Sequence, residues 1–113
     1  MAPQTRGPAV EVLWWRACPS WREAIELVRE EMAALALDPA QLRVTEVRDD
    51  AEAVRHGFAG SPTIRVDARD VRPPDEEAPG LTCRVYRLRD GRISPLPDRA
   101  DVREALIEAT GGR

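Results

Sequence analysis

Apolar residues in this chain cluster, alternate or recur at every third and fourth position, and each spacing predicts a different element. Val10 to Trp15 is a short apolar run rich in β-formers, suited to a strand buried on both faces that stops at Arg16. From Pro19 the period lengthens. Ala24, Ile25, Val28, Met32 and Leu35 share one helical face, Arg22, Glu23, Glu26, Arg29 and Glu30 occupy the other, and Asp38-Pro39 closes the helix. Leu42 to Val47 alternates apolar with polar as a second strand, after which Asp49 or Asp50 caps a short helix ending near Gly57.

Beyond Gly60-Ser61-Pro62 two hairpins compete. In the first, Thr63 to Val66 and Asp70 to Arg72 are strands joined by the turn Asp67-Ala68-Arg69; in the second, Thr63 to Asp70 is one unbroken strand and Val71 to Gly80 its turn. Pro73 to Gly80 reads as loop, since its prolines and acidic run fit neither ladder nor helix. An extra strand is expected at Thr82 to Leu88. A last helix starts at Asp98 or Asp101, places Val102, Ala105, Leu106 and Ala109 on one face, and ends at Gly111-Gly112. The order is β-α-β-α-β-β-α, an α/β domain.

Composition bounds what such a domain does. With 113 residues and 42% hydrophobic content, residues 1–113 suit a single domain with one core, ordered over roughly 10–110. A net charge of −3 argues against a nucleic-acid surface, although all 17 basic residues are arginine. Without lysine there is no P-loop lysine, Schiff-base lysine or lysine general base. The first residues lack the features of a secretory signal and no apolar run reaches membrane-spanning length, so a cytoplasmic protein without a membrane partner is expected. In that compartment a bond between the two cysteines, Cys18 and Cys83, would be transient or redox-active rather than a staple.

Cys18 is the position with chemistry to explain. At the head of a helix, unpaired amides and a partial positive charge stabilise a thiolate, so the thiol is expected to titrate below the free value of about 8.5. Pro19 suits a first helical turn, and Arg16 and Arg22 would deepen the effect if their side chains turn toward the sulfur, the commoner alternative being that they face solvent. The plainer alternative is a buried, inert cysteine. Other residues offer less. His56 reads as a solvated surface group, and Ser20 and Ser61 have no hydrolase context. One histidine and two cysteines match no common zinc spacing, so neither metal nor cofactor is predicted. Arg84, Arg87, Arg89 and Arg92 read as a solvated cluster spread over different faces, and Trp14, Trp15 and Trp21 as core and pocket wall.

A strand ending in tryptophan, Cys-Pro at the first helix, Gly-Ser-Pro-Thr before a hairpin and a final helix together resemble the thioredoxin-like superfamily, from Val10 to Ala109. Cys18-Pro19-Ser20-Trp21 is similar to the glutaredoxin Cys-Pro-Tyr-Cys motif with its second cysteine replaced by Trp21. Gly60-Ser61-Pro62-Thr63 is similar to the thioredoxin version, whose proline is cis and faces the reactive thiol. Cys-Pro-Ser, Ser-Pro-Thr-Ile-Arg-Val-Asp and Gly-Leu-Thr-Cys-Arg-Val-Tyr more narrowly resemble a small bacterial thioredoxin-like group sometimes labelled alkylmercury lyase-like, which has selenocysteine-containing relatives.

The resemblance implies a mixed sheet with helices on both faces, a cis Ser61-Pro62 bond, Cys18 as nucleophile, and a substrate site formed by Trp15, Pro19, Trp21, Ser61, Pro62 and Thr63. The Thr63 backbone would align an extended substrate. Since Trp21 stands where a dithiol protein has its second thiol, three routes remain: glutathione or another small thiol resolves Cys18, Cys83 does so, or no turnover occurs; the acidic run Asp75-Glu76-Glu77 could hold the glutathione amine, its plainer reading being a solvated loop. The first hairpin returns the chain so that Cys83 lies near Cys18; the second sends it toward the far end of the sheet. The expected partner is a thiol or disulfide, either glutathione or a protein. Two alternatives are a dithiol site for Hg(II), Cu(I) or an organomercurial, and a noncatalytic adaptor.

Overall fold

The run Val10–Trp14 forms β1, which has neighbours on both sides in a four-stranded sheet. A computed structural model of the chain describes residues 7–74 and 78–111. In chain order α1 is Trp21–Ala34, β2 Leu42–Glu46, α2 Asp50–His56, β3 Thr63–Val66, β4 Arg69–Asp70, β5 Tyr86–Arg87, β6 Ile93–Ser94 and α3 Arg99–Gly111. The sheet order is β2-β1-β3-β4, with β2 parallel to β1, and β3 antiparallel to both β1 and β4. Among the described residues no helix is long and apolar enough to cross a membrane.

Alternation along β1 divides the core. Val10 and Val12, paired with Val66 and Ile64, face α1 and α3, where Ala24, Val28, Met32, Val102 and Leu106 complete an apolar layer. Leu13 points to the other face and packs with Val47, Ala53 of α2 and Phe58. Helices therefore cover both faces. Val12 and Leu13 are fully buried, and each such side chain removed from water contributes about 1.5–3 kcal/mol.

Local chemistry sets the boundaries. β1 ends at Trp14 rather than Trp15, and α1 begins at Trp21 rather than Pro19, because Arg16 to Ser20 forms turns in which the Cys18 N–H donates to the Trp15 carbonyl. Ser20 is the N-cap, but its buried hydroxyl has no hydrogen-bond partner. α1 closes before Asp38-Pro39. Ala36 adopts a left-handed φ of 56°, the Leu37 N–H donates to the Met32 carbonyl and the Ala36 N–H to the Ala33 carbonyl, a Schellman ending with alanine in the place that favours glycine. At α2, the Asp49 side chain accepts from the Glu52 N–H, and Gly57 ends the helix at a φ of 60°.

The competing long strand is overturned, since β3 stops at Val66 and turns back at once. Asp67 and Ala68 both have positive φ, 51° and 68°, the signature of a two-residue type I′ turn whose twist matches the strands. The returning strand is thus Arg69–Asp70, not Asp70 to Arg72. The strand expected at Thr82 to Leu88 shrinks to Tyr86–Arg87, which pairs with β6 as a separate hairpin. Cys83 instead makes an isolated parallel bridge with Ser61.

Glu31, which the helical pattern did not single out, is the buried charge between α1 and α3. Arg103 Nε and Nη2 lie 2.8 and 3.2 Å from its two oxygens, and Arg99 Nη1 is 3.0 Å from Oε2. The Arg103 hydrogen bonds hold its carboxyl below the usual range, with Arg99 adding and burial opposing. A carboxyl that titrates lower when folded contributes stability that is complete above its unfolded value of about 4.3 and is lost as pH falls through the folded value. Replacing Glu31 by Gln is expected to lower stability by about 1–3 kcal/mol at pH 7 and to remove this component of acid sensitivity below about pH 4.3, measured by urea unfolding across pH. Conversely, Ala36→Gly is expected to raise stability by roughly 0.5–1 kcal/mol, since it relieves the left-handed alanine; an unchanged thermal midpoint counts against that strain.

Candidate functional site

Because β1 and β3 run antiparallel with Leu13 opposite Thr63, the end of β1 meets the segment leading into β3 at one end of the sheet. The Trp15 N–H donates to Ser61 Oγ at 2.9 Å, tying the two together. The Ser61-Pro62 peptide is cis. Ser61 also binds the segment that carries Cys83. Its N–H donates to the Thr82 carbonyl and its carbonyl accepts from the Arg84 N–H, both at 2.8 Å. Cys18 and Cys83 are joined as a disulfide, with Cα atoms 5.6 Å apart.

The expected site residues divide by environment. Cys18 is 2% exposed, and Ser61, Pro62 and Thr63 are buried with it. Trp15 and Trp21 are half-buried, while Pro19 and Cys83 are exposed. Trp21 stacks on Trp14 with ring centroids 3.9 Å apart, and the Arg22 guanidinium lies 4.8 Å from the Trp21 ring centre. Cys18 precedes the α1 cap, and its sulfur lies 3.4 Å from the Ser61 carbonyl oxygen. The Ser61 backbone, beside the residues expected to align an extended substrate, is filled by the chain's own Thr82 and Arg84. Asp75, Glu76 and Glu77, the expected glutathione-amine contacts, lie outside the described residues.

Arg84 corrects the reading of its cluster. Arg87, Arg89 and Arg92 are exposed, but the Arg84 side chain is 5% exposed and ends 2.7 Å from Asp70 Oδ2, with further hydrogen bonds to Thr63 Oγ1 and the Arg72 carbonyl. Its guanidinium carbon is 4.4 Å from the centre of the Tyr86 ring. Tyr86 is buried too. Its hydroxyl donates to the Pro62 carbonyl at 2.5 Å, and burial pushes its phenol well above the ordinary value of 10.0. The signal available in the sequence was alternation, which puts Arg84 and Tyr86 on one face and Val85 and Arg87 on the other; nothing local marked which face turns inward. His56 contributes a backbone carbonyl, 2.7 Å from Arg65 Nη2.

Gly60 makes room for this arrangement. It adopts a φ of 129°, and a Cβ there would stand 2.9 Å from Arg84 Cγ and 3.3 Å from Thr82 Cγ2. Gly60→Ala is therefore expected to destabilise the fold by about 2–4 kcal/mol, read by urea unfolding of the oxidised protein; a loss well under 1 kcal/mol would show that the Arg84 stem moves aside freely. Compared with protein-family models, curated proteins and solved structures, the chain matches none.

Proposed function

We propose that this chain is a thioredoxin-like thiol–disulfide protein whose redox couple is Cys18 and Cys83. The observation that carries the reading is the pairing of two cysteines 65 positions apart, with Cα atoms within disulfide reach, beside Ser61-Pro62 at one end of the sheet. Their element order and the helices on both faces of a mixed sheet also support the resemblance. Trp21 leaves the first helix without a local second thiol, and Cys83 supplies one from a separate segment.

The chemistry is exchange. A reduced cysteine attacks a substrate disulfide, breaking that S–S bond and releasing one substrate thiol while a mixed disulfide forms. The other cysteine then attacks the mixed disulfide, closing the Cys18–Cys83 bond and releasing the second substrate thiol. Two electrons pass from the protein dithiol to the substrate, and the two thiol protons balance the two substrate thiols formed. Run in reverse, the oxidised pair accepts electrons from a thiol such as glutathione. The same proximity supports a second reading, in which the two thiolates hold one soft metal ion.

Mass spectrometry separates these readings. Reduced wild type treated with glutathione disulfide is expected to lose two hydrogens as the internal bond reforms, whereas Cys18→Ser and Cys83→Ser cannot close it and stop at adducts. Stoichiometric mercuric ion on the reduced protein, with no reaction toward glutathione disulfide, would move the assignment to metal binding. Loss of neither hydrogen and uptake of neither ligand would reject both.

A further inference from the structure

We infer that Cys83, not Cys18, is the sulfur that meets the external thiol or disulfide, and that Cys18 is the interior, resolving thiol. The inference deepens the redox reading above and rests on it. Exchange requires a sulfur that another molecule can approach in line, so access decides which of two paired sulfurs is attacked. Cys83 is exposed and flanked by exposed Thr82 and Val85, whereas Cys18 is 2% exposed and is bonded to the same segment from the interior side.

This asymmetry does not depend on the disulfide itself. The segment bearing Cys83 is seated by the two backbone hydrogen bonds to Ser61, by the Arg84 ion pair with Asp70 and by the Tyr86 hydroxyl on the Pro62 carbonyl. These contacts survive reduction, because none uses a sulfur atom. Gly60 supplies an independent sign that the seat is built, since its missing Cβ leaves the space taken by the Arg84 stem. In the reduced protein Cys83 therefore stays outward and Cys18 stays covered, with its sulfur 3.4 Å from the Ser61 carbonyl oxygen. Arg84 is a positioning residue in this scheme: it touches no reacting atom and keeps the cover in place.

The steps follow. With an oxidised partner, the Cys83 thiolate attacks one partner sulfur, the partner's S–S bond breaks, and one partner thiol leaves. Cys18, already in register, gives up its proton and attacks the Cys83 sulfur; the second partner thiol leaves and the protein disulfide is restored. In the opposite direction a glutathione thiolate attacks Cys83, Cys18 departs and takes up a proton, and a second glutathione releases glutathione disulfide from Cys83.

The test uses glutathione on the full chain. Oxidised wild type mixed with reduced glutathione and quenched in acid is expected to carry the trapped glutathione on the peptide containing Cys83. Among single-cysteine variants with unchanged circular dichroism, Cys18→Ser should form its glutathione adduct about tenfold or more faster than Cys83→Ser. Adding Arg84→Ala to Cys83→Ser should accelerate Cys18 by a similar factor as its cover loosens; Asp70→Asn serves where Arg84→Ala does not fold. Trapping on Cys18, or equal rates in the two single variants, would overturn the inference while leaving the redox couple intact. No exchange in wild type or either variant would reject the redox reading, and this inference with it.

Discussion

A positive charge taken out of water must be met on nearly every side, and Arg84 is met by Asp70, the Arg72 carbonyl, Thr63 Oγ1 and the face of Tyr86. Meeting those partners leaves the guanidinium few other positions. It links β4, β3 and the segment ahead of β5, so the backbone next to Arg84 is carried to the start of β3 and Cys83 with it. The disulfide is the visible cross-link at this end of the sheet, but the register of its second cysteine belongs to the neighbouring arginine. Ser61 is the receiving side. Its hydroxyl, N–H and carbonyl are each engaged, by Trp15, Thr82 and Arg84.

The two faces of the sheet are held by different means. Under α2 the contacts are apolar, through Leu13, Val47, Ala53 and Phe58. Between α1 and α3 an apolar layer is joined by the Glu31 carboxylate and its two arginines, which are themselves about half exposed. That ion cluster keeps solvent contact on the cationic side, so its net contribution is smaller than that of a fully enclosed pair. It nevertheless fixes where α3 crosses α1. The site lies away from this cluster, where β1 ends and β3 begins.

Much of the scaffold was legible along the chain because its causes are local. The apolar run of β1, the three- and four-residue period of α1, Asp49 and Gly57 at the ends of α2, and the helix after Asp98 each involve residues a few positions apart. The errors were at boundaries where a backbone conformation decided the outcome. Ala36 turns the chain with positive φ although it is not glycine, and an alanine carries no mark of that in a sequence; at Asp67-Ala68 the turn itself was legible, but not that two residues of positive φ suffice and that Arg69 already belongs to the returning strand.

What the sequence determined by itself, then, is the succession of strands and helices from β1 to β4 and the closing α3, though not the β5-β6 hairpin between them, the presence of a Cys-Pro ahead of α1 and a Ser-Pro ahead of β3, and the absence of lysine chemistry. The tertiary structure decided which cysteine is covered, which arginine is buried and which glutamate carries a charge into the interior. The physical reason is distance along the chain. Arg84 meets Asp70 fourteen positions away, Glu31 meets Arg103 across seventy-two, and Cys18 meets Cys83 across sixty-five. Periodicity reports which face a residue occupies on its own element; only packing those elements together decides what that face meets.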